Sequence, residues 1–167
     1  MLHEIVIRRS IRKYQDKPVE TEKLEQLVRA AMQAPSAGNQ RPWEFIVVDD
    51  KDLLAKLAGM SPFAKPVAQA AAAVVMLANR KKLMFPENWQ MDMGAATENL
   101  LLEAVHQGLG AVWMAIAPLE DRVSYIRQLF NLPPDITPYA LVPIGYPAQE
   151  NTFVDRYESS RVHHNNY

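Results

Sequence analysis

The chain has 167 residues, 49% of them hydrophobic, with 18 Lys and Arg against 19 Asp and Glu for a formal charge of -1. That length and apolar share suit one compact domain with a core of its own, so a single domain over residues 1–167 is expected; the near-neutral charge lacks the broad basic face of a nucleic-acid binder. The absence of cysteine removes disulfides, cysteine nucleophiles, thiolate zinc sites and iron–sulfur clusters.

Met1–Ile7 carries neither the leading positive charge nor the long apolar block of a secretory signal, and Glu4, Asp16 and Glu20 are wrong for an organelle transit peptide, so a cytoplasmic protein is expected. Next come four cations and a hydroxyl, in Arg8-Arg9-Ser10-Ile11-Arg12-Lys13-Tyr14. Self-repulsion makes such a cluster costly unless it faces an anion. A phosphate suits it, because guanidinium forks match phosphate oxygens in pairs and a hydroxyl fills a remaining acceptor. From Thr21 the spacing of Leu24, Leu27, Val28 and Ala31 predicts an amphipathic helix, with Glu22 and Glu25 in its first turn and Pro35 closing it.

Trp43–Val48 is aromatic and β-branched and ends on Asp49-Asp50, which predicts a strand entering a turn; Lys51–Met60 then reads as a short helix. The longest apolar run, Ala70–Ala78, is too short to cross a bilayer, so no membrane partner is expected. By periodicity alone Ala72–Ala78 could be helix or strand, and its flanking polar residues and central Val74-Val75 favour a buried strand. An irregular segment, Asn79–Gln90, follows, in which Trp89 is either a core aromatic or a residue reaching over a ligand. Met91–Gln107 is the longest helical pattern, apolar nearly all round except for a stripe of Glu98, Asn99, Glu103 and His106. It must be covered by a sheet or by a second subunit, and Gly108 stops it. Ala111–Ile116 reads as a strand, Leu119–Phe130 as an amphipathic helix and Tyr139–Ile144 as the last apolar strand. Ala148–Tyr167 is polar and patternless, and such a tail is disordered unless something holds it. His163-His164 in that tail has no third ligand for a metal, so no metal site is expected. Interleaved helices and strands place the fold in the mixed α and β class.

The loop Ala34-Pro35-Ser36-Ala37-Gly38-Asn39-Gln40-Arg41-Pro42-Trp43 is longer than a turn requires and rich in residues that offer amides to a ligand. Taken with Arg8-Arg9-Ser10-Ile11-Arg12, it resembles the nitroreductase family of FMN-dependent oxidoreductases. The segments Asn99–Ala104, Gly108–Trp113, Pro143–Pro147 and Asp155-Arg156-Tyr157 are similar to later parts of that family, so the likeness spans nearly the whole chain.

The resemblance implies an α+β fold, a mixed and mainly antiparallel sheet flanked by helices in an intertwined homodimer, with FMN bound between the subunits. Arg8, Ser10 and Arg12 would meet the FMN phosphate and ribityl chain, Arg9 would pack beside them, and Arg156 would add a guanidinium. Pro35, Ser36, Ala37 and Asn39 of the second subunit would line the flavin's other side, and Trp113 and Met114 would lie along the ring, with Lys65 a candidate at its pyrimidine edge. The tail, residues 148–167, would wrap the partner. The implied activity is ping-pong transfer of hydride from NADH or NADPH to a nitroaromatic, quinone or similar electron-poor small molecule, with no catalytic side chain because the cofactor carries the chemistry. An FMN-binding carrier or sensor without turnover, or an offshoot with a specialised acceptor, would use the same cofactor residues.

Overall fold

The computed structural model describes residues 1–81, 83–150 and 152–167; Lys82, in the expected irregular segment, and Asn151, in the expected tail, lie outside the described residues. In chain order the elements are α1 (His3–Ile7), α2 (Thr21–Met32), β1 (Trp43–Val48), α3 (Lys51–Ala58), β2 (Ala72–Asn79), α4 (Trp89–His106), β3 (Gly110–Ala111), β4 (Met114–Ala115), α5 (Glu120–Leu129) and β5 (Ile136–Gly145). The sheet is antiparallel throughout, ordered β1-β2-β5-β3 with β4 also on β5.

β2 explains why its sequence is apolar without alternation. Successive strand residues face opposite sides of a sheet. Ala72, Val74, Met76 and Ala78 point into a core with Leu24 and Leu27 of α2 and Met93 and Leu100 of α4. Ala73, Val75 and Leu77 point into a second core with Leu54 and Leu57 of α3 and Ile126 of α5. With helices on both faces, every residue from Ala72 to Ala78 is buried, and no polar position is left to mark a period of two.

Ala111–Ile116, expected as one strand, is broken into β3 and β4. The register runs from Ala111 opposite Ile144 to Met114 opposite Leu141, which brings Val112 opposite Pro143. Proline has no N–H to give the ladder, so pairing stops there and resumes beyond. β5 is further bent where Met76 pairs with Ala140 but Leu77 with Pro138, leaving Tyr139 unpaired in the ladder. The Tyr139 carbonyl instead accepts from the N–H groups of Ile116 and Ala117 at 3.0 and 3.1 Å. α4 begins at Trp89, two residues earlier than expected, and the Trp89 ring is buried edge-on against Tyr139 with centroids 5.8 Å apart. Trp89 is therefore a core aromatic. α1 was not expected at all: five residues, none of them buried, give periodicity nothing to register.

The segment after α1 runs extended beside the sheet. Ser10 bridges Ala111, the Ile11 N–H donates to the Ala111 carbonyl at 3.0 Å, Tyr14 bridges Pro147, and the Gln15 N–H donates to the Tyr146 carbonyl at 2.8 Å. Ile11 and Tyr14 turn inward and are buried. They fit because the strands beneath them carry glycine: a Cβ at Gly110 would lie 2.6 Å from Ile11 Cγ1, and one at Gly145 would lie 2.9 Å from the Tyr14 ring. Gly110→Ala is accordingly expected to lower unfolding stability by about 1–3 kcal/mol, the usual cost of overpacking, read from the shift in denaturant midpoint. A midpoint equal to that of the unsubstituted protein would show that Ile11 moves aside freely.

Candidate functional site

Arg8 caps the C-terminal end of α1 and its Nε lies 3.2 Å from Glu98 Oε1 on α4. Arg9 turns back under the same end: Nη1 donates to the carbonyls of Val6 at 3.1 Å and Arg8 at 2.5 Å, and Nε to the carbonyl of Thr152 at 3.0 Å. Its guanidinium also sits over the Phe153 ring at 5.9 Å. Arg9 Nη2 is buried and, among the described residues, has no hydrogen-bond partner. Leaving a buried donor on a charged group unmade is costly, so this atom marks a place for an acceptor.

Arg8, Arg9 and Arg156 line one cleft of about 270 Å³, closed by Phe153 and Tyr157 of the tail and Ile5 of α1. Ser10 is half-buried beside β3, and Arg12 projects outward, its N–H donating to Gln149 Oε1 at 3.0 Å. The structure thus brings together the first two arginines of the motif and the tail arginine, with Ser10 and Arg12 next along the same extended segment.

The loop from Ala34 to Pro42 is shaped by left-handed backbone at Gly38, Asn39 and Arg41, with φ of 54°, 56° and 45°. Ser36 Oγ accepts the Arg41 N–H at 3.0 Å, and the Ser36 carbonyl accepts the Asn39 N–H at 2.9 Å, so the loop closes on itself. Pro35 and Asn39 are exposed, while Ser36 and Ala37 are half-buried. What holds the loop to the body of the protein is Asp92, in the first turn of α4 and only 4% exposed. Its Oδ1 accepts the Ala37 N–H at 2.8 Å and its Oδ2 accepts Gln40 Nε2 at 2.6 Å. Sequence reasoning passed over Asp92, although an acid in the first turn of an otherwise apolar helix is the available signal.

Trp113 and Met114 fall on opposite faces of the sheet. Trp113 leans on Tyr139 with centroids 5.7 Å apart and packs with the α4 core, whereas Met114 packs with the α3 and α5 core. Only Trp113 shares a face with α4. Lys65 is exposed, in the 3-10 turn Lys65–Gln69. Among the described residues, no group of three or more His, Asp or Glu could hold a metal ion, and no helix is long and apolar enough to cross a membrane.

Both clusters hang from α4, but not from one face of it. Asp92, which holds the loop, and Glu98, which holds Arg8, are six residues apart, hence about 9 Å along the axis and about 120° around it. Two sets of residues expected at one ligand are therefore separated within one chain. The polar stripe expected on α4 is the seam for its neighbours: Asn99 Nδ2 donates to the Ala30 carbonyl of α2 at 3.1 Å, and His106 Nδ1 meets Glu4 Oε1 of α1 at 3.0 Å.

The model described as "Nitroreductase family" matches residues 5–85 and 60–146. A protein of Archaeoglobus fulgidus, provisionally named NADH dehydrogenase/NAD(P)H nitroreductase, is 41% identical over 97% of this chain and 95% of its own length. Among solved structures, a provisionally named NADH oxidase from Clostridium acetobutylicum superposes with a TM-score of 0.96 at 48% identity, covering 98% of this chain and 99% of the other. An FMN-dependent nitroreductase from Clostridium difficile R20291 superposes with a TM-score of 0.92 at 32% identity, covering 100% of both chains.

The Glu4–His106 contact carries a pH dependence. Hydrogen bonding to His106 holds the Glu4 carboxyl below its ordinary 4.5, and the same bond, with the charges of Glu103 and Glu4, holds His106 above its ordinary 6.5. The Glu4 contribution is complete above pH 4.5 and lost as pH falls through its lowered value; that of His106 is complete below pH 6.5 and lost as pH rises through its raised value. The tether of α1 is therefore fullest between pH 4.5 and 6.5. Hydrogen exchange at the Val6 and Arg8 amides, corrected for intrinsic rate, should be slowest in that window; a profile shared by His106→Ala would assign the effect elsewhere.

Proposed function

The chain belongs to the nitroreductase family and has its fold, and on that footing we propose that it is an FMN-dependent NAD(P)H oxidoreductase for nitroaromatics, quinones or similar electron-poor small molecules. The observation that carries this reading is the cleft of Arg8, Arg9 and Arg156 with the buried, unpartnered Arg9 Nη2. Three guanidinium groups, only one of them in an ion pair with a carboxylate among the described residues, fit a doubly charged phosphate ester. The likeness to an FMN-dependent nitroreductase supports FMN as its bearer.

In this reading Arg8, Arg9 and Arg156 hold the phosphate, Ser10 and Arg12 the polar chain beyond it, and Trp113 flanks the ring. Pro35, Ser36, Ala37 and Asn39 come from a second subunit. The separation of the two clusters around α4 supports that division, and so does the outward face of α4. Met91, Ala95, Glu98, Leu102 and Val105 recur there at the alternating four- and three-residue spacing of a helix–helix seam, apolar except for Glu98 and partly or largely exposed in the single chain. Phe153, Val154 and Tyr157 are exposed on the tail, which would find cover by wrapping the partner. Bound FMN supplies hydride chemistry at one ring face, which donor and acceptor use in turn.

A carrier or sensor that binds FMN without turnover needs the same arginines. Anaerobic addition of NADH or NADPH separates the readings: the reductase bleaches, whereas a yellow protein that never bleaches is the carrier, and one that takes up no FMN is neither. Arg8→Ala is expected to weaken FMN binding by about 1.5–3 kcal/mol, roughly ten- to hundredfold, the worth of a charge-assisted contact. Titration with FMN measures it, and an unchanged dissociation constant would remove Arg8 from the phosphate.

A further inference from the structure

Gln40 belongs to none of the cofactor contacts above, yet its side-chain amide makes three hydrogen bonds. Nε2 donates to Asp92 Oδ2 at 2.6 Å and to the Phe85 carbonyl at 3.1 Å, and Oε1 accepts the Phe85 N–H at 2.9 Å. The amide orientation is fixed, because a flip would set its oxygen against the Asp92 carboxylate and the Phe85 carbonyl. Gln40 thus reads Phe85 as a strand neighbour would, through both backbone groups. Asp92, buried and already bonded to the Ala37 N–H, fixes Gln40 in turn.

The side chains presented by this latch lie directly on the loop. A Cβ at Gly38 would come within 2.6 Å of the Phe85 ring and 3.2 Å of Met84 Sδ, so both rest against bare glycine backbone. Despite that contact Phe85 is 43% exposed and Met84 69%. A ring and a polarisable thioether turned outward, on a segment pinned by two backbone hydrogen bonds, form a rigid apolar ridge rather than a loose loop tip.

Resting on the reading that residues 35–39 flank the flavin ring, we infer that Gln40 is a positioning residue for acceptor selection. Held by Asp92, it sets the Met84–Phe85 ridge beside the ring face, and the ridge favours flat aromatic acceptors over small ions by stacking on them. Gln40→Ala frees the ridge; Phe85→Ala removes its ring while leaving every backbone bond in place, and so serves even where Gln40→Ala does not fold.

The test has two arms. In the protein without cofactor, Gln40→Ala should speed hydrogen exchange at the Phe85 amide about tenfold or more, the worth of a lost hydrogen bond. In the FMN-loaded protein, the KM for menadione relative to that for ferricyanide should rise about tenfold in Gln40→Ala and in Phe85→Ala, and the double variant should add little, since both act through one ridge. An unchanged Phe85 exchange rate overturns the latch. An unchanged KM ratio, or equal losses with both acceptors, overturns acceptor selection and leaves Gln40 a structural residue. If the unsubstituted protein takes up no FMN, or NAD(P)H fails to bleach it, the parent reading falls and acceptor selection with it, a failure seen before any substitution is made.

Discussion

The 18 residues of α4 have to satisfy two environments, and the placement of the Ala34–Pro42 loop and of Arg8 follows from how they do so. The inward face, Met93, Ala96, Leu100 and Ala104, is fully buried against the sheet and α2, which fixes the helix in rotation and height. With the helix fixed, each polar residue it carries becomes an attachment point at a defined angle. Asp92 takes the loop, Glu98 takes Arg8, Asn99 takes α2, and His106 takes α1. A change of a few tens of degrees in α4 would move all four attachments together.

The cationic segment shows how a costly charge cluster is held in place before any ligand arrives. Ile11 and Tyr14 anchor it through apolar contact and backbone bonds to the sheet edge, so the arginines between and before them have fixed backbones. Arg9 is then used inwardly, against backbone carbonyls at the C-terminal end of α1 and in the tail, where the helix dipole favours a cation. That arrangement couples the tail to the motif, since the Thr152 carbonyl is one of its acceptors. Among the described residues, one donor of the group, Nη2, stays unmet. Groups that break a local rule in this way cluster where a protein binds its ligand, because a pre-placed donor avoids reorganisation when the acceptor comes.

The sheet contributes through its irregularities. Pro143 interrupts the pairing of β5 with the strand beside it, and the offset at Tyr139 turns that ring toward the α4 face. Trp89, Tyr139 and Trp113 then meet in sequence, Tyr139 touching both tryptophans. Trp113, two residues beyond Ala111, falls on the same face as Ala111, toward α4 and on the same side of the sheet as the Asp92-anchored loop.

Much of this was legible in the residues themselves. Helical periodicity located α2, α3, α4 and α5 closely, because each is long enough for its apolar pattern to repeat, while apolar, aromatic and β-branched runs located β1 and β2 and, with a start three residues late, β5. The pairing of Arg8–Arg12 with Pro35–Trp43 pointed to the family, because the two stretches together resemble its motifs. Local pattern cannot report what depends on partners far along the chain. The split at Val112 arises from a proline thirty-one residues away, and the role of Asp92 from a loop some fifty residues before it. Trp89 was ambiguous until Tyr139 met it. The sequence by itself determined the long elements and a cluster of cations suited to an anion, since propensity, periodicity and charge are local quantities. Only the tertiary structure decided that the arginines and the loop stand on different faces of α4, because which polar residue of the helix meets which distant segment depends on contacts far along the chain.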